Sequence, residues 1–206
     1  MLESSVRLVR EPSVTEFDLG NVAHFTRTAI GSGFPLEDDS DSVKRVTLAV
    51  ACLKRKHLSI FEFADLLFYV ECPIFVARQL FRHRNGVFME KSLRYLSAPK
   101  LDESRKDDPL DPFHDYRGVY VDALKIYNEL IEAGEHKERA RAVLPLATPT
   151  AFLWKINLRS LLNVFDQRLD LCAQAETRAV VQKMYDLTAE YYPNIMSEWK
   201  LEHERL

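Results

Sequence analysis

The residues with most chemical promise occupy positions 78–95, in the run RQLFRHRNGVFMEKSLRY. It carries Arg78, Arg82, Arg84 and Arg94, with Lys91, against a single carboxylate, Glu90. The whole chain holds 28 Lys+Arg and 31 Asp+Glu, a formal net charge of −3, so this is a local cationic cluster in a slightly acidic protein. Guanidinium forks match the oxygens of phosphate. Arg78 and Arg82 are four apart, and on one helix they would aim like charges at each other, a repulsion that an anion between them relieves. The competing explanation is a solvated basic face. The arginines follow directly on an apolar segment, and that points to a cleft wall.

Two elements must position this run. Residues 66–70 are apolar and aromatic and stop at Cys72-Pro73, which predicts a buried strand. Pro73 suits the first position of a short helix whose buried side is Ile74, Val76, Ala77, Leu80 and Phe81. Upstream, Val43, Val46, Val50 and Leu53 recur at three and four, a helical stripe beginning at Asp41. Ser40 or Asp41 can cap it, and Lys54, Arg55 and Lys56 suit its C-terminal end. Residues 97–115 carry Pro99, Pro109 and Pro112 and read as a long loop. Beyond it, helices are expected over 121–133, ended by Gly134, over 137–144, ended by Pro145, and over 150–165 and 173–191, the last ended before Pro193. The pattern predicts an α+β fold in a single domain spanning 1–206, with a strand count that periodicity does not give.

Composition narrows the classes. At 47% hydrophobic and 29% charged the chain is that of a globular enzyme. No apolar run approaches the ~20 residues of a membrane span, and the near-neutral balance predicts neither a membrane nor a nucleic acid as partner. Cys52, Cys72 and Cys172 are odd in number and widely spaced, so reduced thiols are expected, and no spacing suits a metal. Gly31 and Gly33 have Leu36 where a dinucleotide fingerprint needs a third glycine. The N-terminus, with Glu3, Arg7, Arg10 and Glu11, lacks a secretory apolar core, so the cytoplasm is the expected compartment.

Arg82-His83-Arg84, seven further residues and then Ser92, with Glu90, Arg94 and Tyr95, resemble the signature of the ThyX family, the flavin-dependent thymidylate synthases. Agreement extends outside the signature. His57 and Ser59 resemble the family's upstream His-x-Thr/Ser element. Glu138, Arg141, Leu144-Pro145, Asn157, Arg159, Ser160, Asn163, Arg168 and Ala173-Gln174 follow in the family's order. The resemblance covers roughly residues 43–180. Three positions depart: Val87 and Met89 stand where the family usually has Ser and Asn, and Phe63 where it commonly has His.

The resemblance implies a ThyX-like fold, a central antiparallel sheet flanked by helices, assembled as a homotetramer with flavin sites shared between subunits. It implies FAD as cofactor, with NADPH and methylenetetrahydrofolate as cosubstrates, and methylation of uracil C5 in dUMP. Carried over, His57, Ser59, Arg82, His83, Arg84, Glu90, Asn157, Arg159 and Asn163 lie on the flavin side. Gln79, Arg82, Ser92, Arg94, Glu138, Arg141 and Arg168 lie on the nucleotide side, and Ser92, Arg168 and His57 are the expected catalytic residues. Arg94 and Arg141 would hold the phosphate, helped by Ser92, while Arg168 lies against the uracil. The absence of an activated cysteine agrees, because a flavin-supplied hydride removes the need for an enzyme thiolate. Met89 is expected to replace a polar pocket-wall residue with an apolar one. Two alternatives stay open: the same chemistry on UMP, and a catalytically silent relative that binds nucleotide or RNA.

Overall fold

The computed structural model describes residues 4–30, 41–98 and 117–203. Two strands form its centre. β2 (Asp65–Pro73) and β4 (Pro149–Asn157) pair antiparallel along their full length, with Leu66 opposite Ile156, Phe68 opposite Trp154 and Val70 opposite Phe152. Those six side chains are buried on one face, as strand period two requires. Burying each of the large ones contributes about 1.5–3 kcal/mol. β1 (Ser5–Leu8) adds to β2 and β3 (Gly86–Glu90) to β4, giving the all-antiparallel order β1-β2-β4-β3. The alternate residues Leu67, Tyr69, Leu153, Lys155, Val87 and Met89 share the opposite face. Val87 and Met89 are 68% and 71% exposed there.

Helices cover the inner face: α1 (Glu16–Phe25), α2 (Ser42–Lys54), α3 (Ile74–Leu80), α6 (Leu158–Arg168), α7 (Ala175–Tyr191) and α8 (Pro193–His203) all contribute to one buried cluster. α4 (Arg117–Glu132) and the short α5 (Lys137–Ala140) share a second, small cluster around Tyr127 and Ala140. The architecture is therefore α+β, a four-stranded antiparallel sheet with helices packed on it. Among the described residues no helix is long and apolar enough to cross a membrane.

Several expectations need correction. The helix expected over 150–165 is a strand followed by a helix. Phe152, Trp154 and Ile156 alternate with Leu153 and Lys155, and only at Asn157 does the period change. Asn157 marks the switch physically, because its side-chain oxygen accepts the Ser160 N–H at 2.9 Å and caps α6. Pro73 ends β2 and stands as the N-cap of α3, one residue before the first helical position. Pro193 closes α7 but also opens α8, a helix the sequence did not reveal. Asp41 flanks α2 without a side-chain cap bond; its carboxylate pairs with Lys44 at 2.7 Å. The buried face of α2 is Ala49, Cys52 and Leu53, while Val43 is 78% exposed. That rotation follows from close packing, since a Cβ on Gly20 of α1 would sit 2.1 Å from the Arg45 carbonyl oxygen. Gly134 does end α4's turn, with φ of 89°. The expected loop lies outside the described residues apart from Ser97 and Ala98, as do Ser40, Gly31 and Gly33.

Candidate active site

α3 unwinds into the Arg82-His83-Arg84 turn. Phe81 is its C-cap, and the Arg82 and His83 N–H groups reach back to the Gln79 and Leu80 carbonyls at 3.3 and 3.0 Å. Arg82 therefore leaves the helix, and it does not share a helical face with Arg78 as the spacing suggested. Across from this turn stands α6. Ser160, Asn163 and Gln167 follow at three and four on its exposed side, with Arg168 at its end. Between turn and helix lies a cavity of about 460 Å³, walled by the three signature residues, Asn163 and Arg168. Asn85, Ser160 and Gln167 line it too. Asn85 and Gln167 were not anticipated as site residues; Gln167, four beyond Asn163, would have been legible had α6 been separated from β4.

Arg168 is the organising residue. Its Nε donates to His83 Nε2 at 3.0 Å and its Nη2 reaches the Gln79 carbonyl at 3.5 Å. A guanidinium only donates, so His83 Nε2 must present a lone pair and the ring proton sits on Nδ1. Burial, and then the Arg168 charge, lower the His83 pKa, which agrees with a neutral ring. Neither Asp166 nor Asp170 pairs with Arg168: Asp166 accepts from the Trp199 indole and Asp170 from the Cys172 N–H. The Gln79 side chain is held from behind: the buried Thr177 hydroxyl donates to its Oε1 at 3.1 Å, and its Nε2 donates to Gln174. Arg82 and Arg84 have no hydrogen bond or ion pair among the described residues. Beneath the turn Trp154 stacks on Phe88, with centroids 4.8 Å apart, and its buried indole N–H has no partner among the described residues. Gly86 is required there, since a Cβ would lie 2.3 Å from that nitrogen.

The remaining expected residues fall elsewhere on the chain. Glu90, at the end of β3, accepts the Thr150 hydroxyl at 2.7 Å and lines a smaller cavity of about 270 Å³ with Arg141. Ser92 accepts the Arg94 N–H at 3.3 Å in a turn. Arg94 donates to Glu138 from Nε and Nη2, at 3.2 and 3.1 Å, and both line a separate depression beside Tyr95. Arg141 donates from Nε to the Glu138 backbone carbonyl at 3.2 Å. His57 follows the end of α2, where Lys56 adopts φ of 58° and the His57 N–H returns to the Cys52 carbonyl at 2.8 Å. Ser59 sits in the adjoining 3-10 turn Leu58–Phe63, whose Glu62 pairs with Arg159. One chain thus gathers Gln79, Arg82, His83, Arg84, Asn163 and Arg168, and leaves Glu90, Ser92, Arg94, Glu138 and Arg141 on other walls.

The family described as thymidylate synthase complementing protein matches residues 14–194. The chain belongs to this family. Among its relatives, the flavin-dependent thymidylate synthase of Thermosipho melanesiensis is 35% identical over 163 residues, 68% of this chain and 70% of the relative. That of Thermotoga neapolitana is 39% identical over 147 residues, 66% of this chain and 67% of the relative. A solved structure with the same fold is a UMP/dUMP methylase, PolB, from Streptomyces cacaoi, bound with 5-Br dUMP. It is 24% identical, aligns over 96% of this chain and 94% of its own, and has a TM-score of 0.79. Within the thymidylate synthase family this chain's departures at Val87 and Met89 lie on the outer face of the sheet and line none of the cavities described above. Strand alternation turns both residues away from Trp154 and from the cavity beside α6.

Proposed function

We propose that this protein is a flavin-dependent uridylate methylase that converts dUMP to dTMP, with methylenetetrahydrofolate as one-carbon donor and NADPH as reductant. The observation that carries the reading is the cavity beside α6. Two guanidinium groups without acidic partners among the described residues face it, next to a third that is locked to a neutral histidine. That donor set fits FAD: Arg82 and Arg84 suit its pyrophosphate, while Asn163 and the His83 Nδ1–H offer neutral bonds. When bound, the flavin supplies the hydride chemistry that side chains lack. Arg168 would hold its fixed charge against the uracil, favouring the negative charge that grows as C5 becomes nucleophilic. His57, Ser59 and Arg159 extend the flavin side, and Asn157 serves it by capping α6 and holding Asn163 in place.

We infer that the protein is one ThyX-like domain that works as a homotetramer. Supporting this, the nucleotide-side residues Ser92, Arg94 and Arg141 stand apart from Arg168 in one chain. The open sheet face with Val87, Met89 and Leu153 offers an apolar surface for another copy. The test starts with the visible spectrum of the purified protein, expected to show bound flavin. Tritium release from C5-labelled dUMP and UMP is then measured side by side with both cosubstrates, and faster release from dUMP is expected. Equal and negligible release from both would sink the proposal. Arg168→Ala should abolish turnover and retain flavin.

A further inference from the structure

A buried threonine hydroxyl needs a partner, and commonly finds one on its own neighbouring backbone. Thr148 donates to the Pro145 carbonyl at 2.6 Å and Thr188 to the Met184 carbonyl at 2.7 Å, three and four residues back. Thr177, in the first turn of α7 and 0% exposed, instead donates to Gln79 Oε1 at 3.1 Å, 98 positions away on α3. Gln79 is tied at both ends. Its backbone carbonyl receives the Arg82 N–H at 3.3 Å and Arg168 Nη2 at 3.5 Å, so its main chain belongs to the wall of the cavity beside α6. Its side chain crosses to α7, where Thr177 satisfies Oε1 and Nε2 donates to Gln174. Gln174 is the N-cap of α7 and makes no side-chain cap bond, which leaves its amide oxygen for Gln79. The turn that presents it is pinned by Arg178, whose Nη1 donates to the Leu171 and Ala173 carbonyls at 3.0 and 2.9 Å.

An amide carries opposite chemistry on its two arms, and rotation about its last bond exchanges them. Turned over, the Gln79 amide would set Oε1 against the Gln174 oxygen, acceptor against acceptor. With Oε1 taken by Thr177 and one N–H by Gln174, the second N–H on Nε2 is left without a partner among the described residues. Gln79 thus offers a donor, and the oxygens of a uracil nucleotide are acceptors. We propose that Thr177 is a positioning residue, whose hydroxyl fixes the Gln79 amide with Nε2 as donor toward the nucleotide. This rests on the uridylate reading above and adds the group that stands behind the binding surface without touching the ligand.

The test separates orientation from packing. Binding of dUMP is measured by calorimetry on the flavin-loaded full chain, with flavin content and thermal midpoint recorded for each protein. The proteins are wild type, Thr177→Val, Thr177→Ser, Gln79→Met, and Thr177→Val combined with Gln79→Met. Valine keeps the volume and removes the hydroxyl; serine keeps the hydroxyl and opens a methyl-sized void. Thr177→Val should weaken dUMP by about threefold to tenfold, the worth of one neutral hydrogen bond, with flavin retained. Thr177→Ser should recover binding to within about twofold of wild type, although its thermal midpoint falls through the lost methyl. Beside Gln79→Met, Thr177→Val should bring no further loss, because the amide it orients is gone. Unchanged affinity in Thr177→Val overturns the proposal, as does serine weakening dUMP as much as valine. A valine penalty that persists in full beside Gln79→Met also overturns it and leaves Thr177 a packing residue. A wild type that binds no dUMP overturns the uridylate reading itself, before any variant is compared.

Discussion

The contact between Arg168 and His83 makes a prediction about protonation that can be followed at one atom. Arg168 Nε lies 3.0 Å from His83 Nε2, and arginine keeps its proton throughout the working pH range. Burial first, and the neighbouring guanidinium second, hold the His83 pKa below the ordinary histidine value of about 6.5. Arg168→Met removes the second cause and leaves the first. The pKa should therefore rise in the variant and still stay below about 6.5. A hydrogen bond from a charged donor contributes about 1.5–3 kcal/mol, and with His83 only half-buried the lower end applies, about tenfold in an equilibrium constant. The sign for stability follows from the depressed value. Above about 6.5 the ring is neutral whether the chain is folded or not. Below it the unfolded chain binds a proton that the folded one refuses. Stability is thus complete above the ordinary value and is lost as pH falls through the lowered one. Side-chain nitrogen NMR of His83 from neutral to acid pH reads all of this, with the Nδ1–H tautomer expected at neutrality. A wild-type ring that titrates at or above the ordinary value, or a titration unmoved by Arg168→Met, refutes the reasoning.

Three further outcomes are expected. Gly20→Ala forces a methyl within 2.1 Å of the Arg45 carbonyl oxygen, so α1 and α2 must separate, and the urea midpoint should fall by the equivalent of about 1–3 kcal/mol or more. Glu16 is buried and accepts both the Asn194 amide, at 2.7 Å, and the Ile195 N–H, at 2.8 Å, at the start of α8. Glu16→Ala should cost about 1–3 kcal/mol in the same assay, and no loss would mean that α8 is anchored by other contacts. Burial pushes the Cys72 thiol up to about 12 and raises that of Cys52, whereas Cys172 is exposed. A thiol reagent at mildly alkaline pH should label Cys172 quickly and the other two only after denaturation, and fast labelling of Cys72 would contradict its burial.

The candidate site was partly legible before folding. The Arg82-His83-Arg84 turn and Arg168 could be read from residue type and order, and the apolar lead at 66–80 correctly implied a strand and helix supporting them. Which arginine is free could not be read. Arg94 is 44 positions from the Glu138 that occupies it, and His83 is 85 from Arg168, so both pairings exist only once the chain has closed. Val87 and Met89 illustrate the same limit. Their identity suggested an altered pocket wall, but their direction depends on the register of β3 against β4, which places Phe88 and not its neighbours opposite Trp154.

His203 acquires its partners only in the folded chain. It stacks on Trp199 with centroids 4.0 Å apart and meets Asp166 at 2.8 Å, joining α8 to the helix that carries the site. By itself the sequence determined what short-range sterics and spacing govern: the Pro73 junction, the Gly134 stop, the long α7 and the concentration of cations at 78–94. The tertiary structure alone decided the split of residues 149–168 into strand and helix, the turning of α2 onto Gly20, and the division of the arginines among three cavities. Local conformation depends on neighbours within a few residues, while register, burial and charge pairing depend on which distant segments come to lie a few ångströms apart.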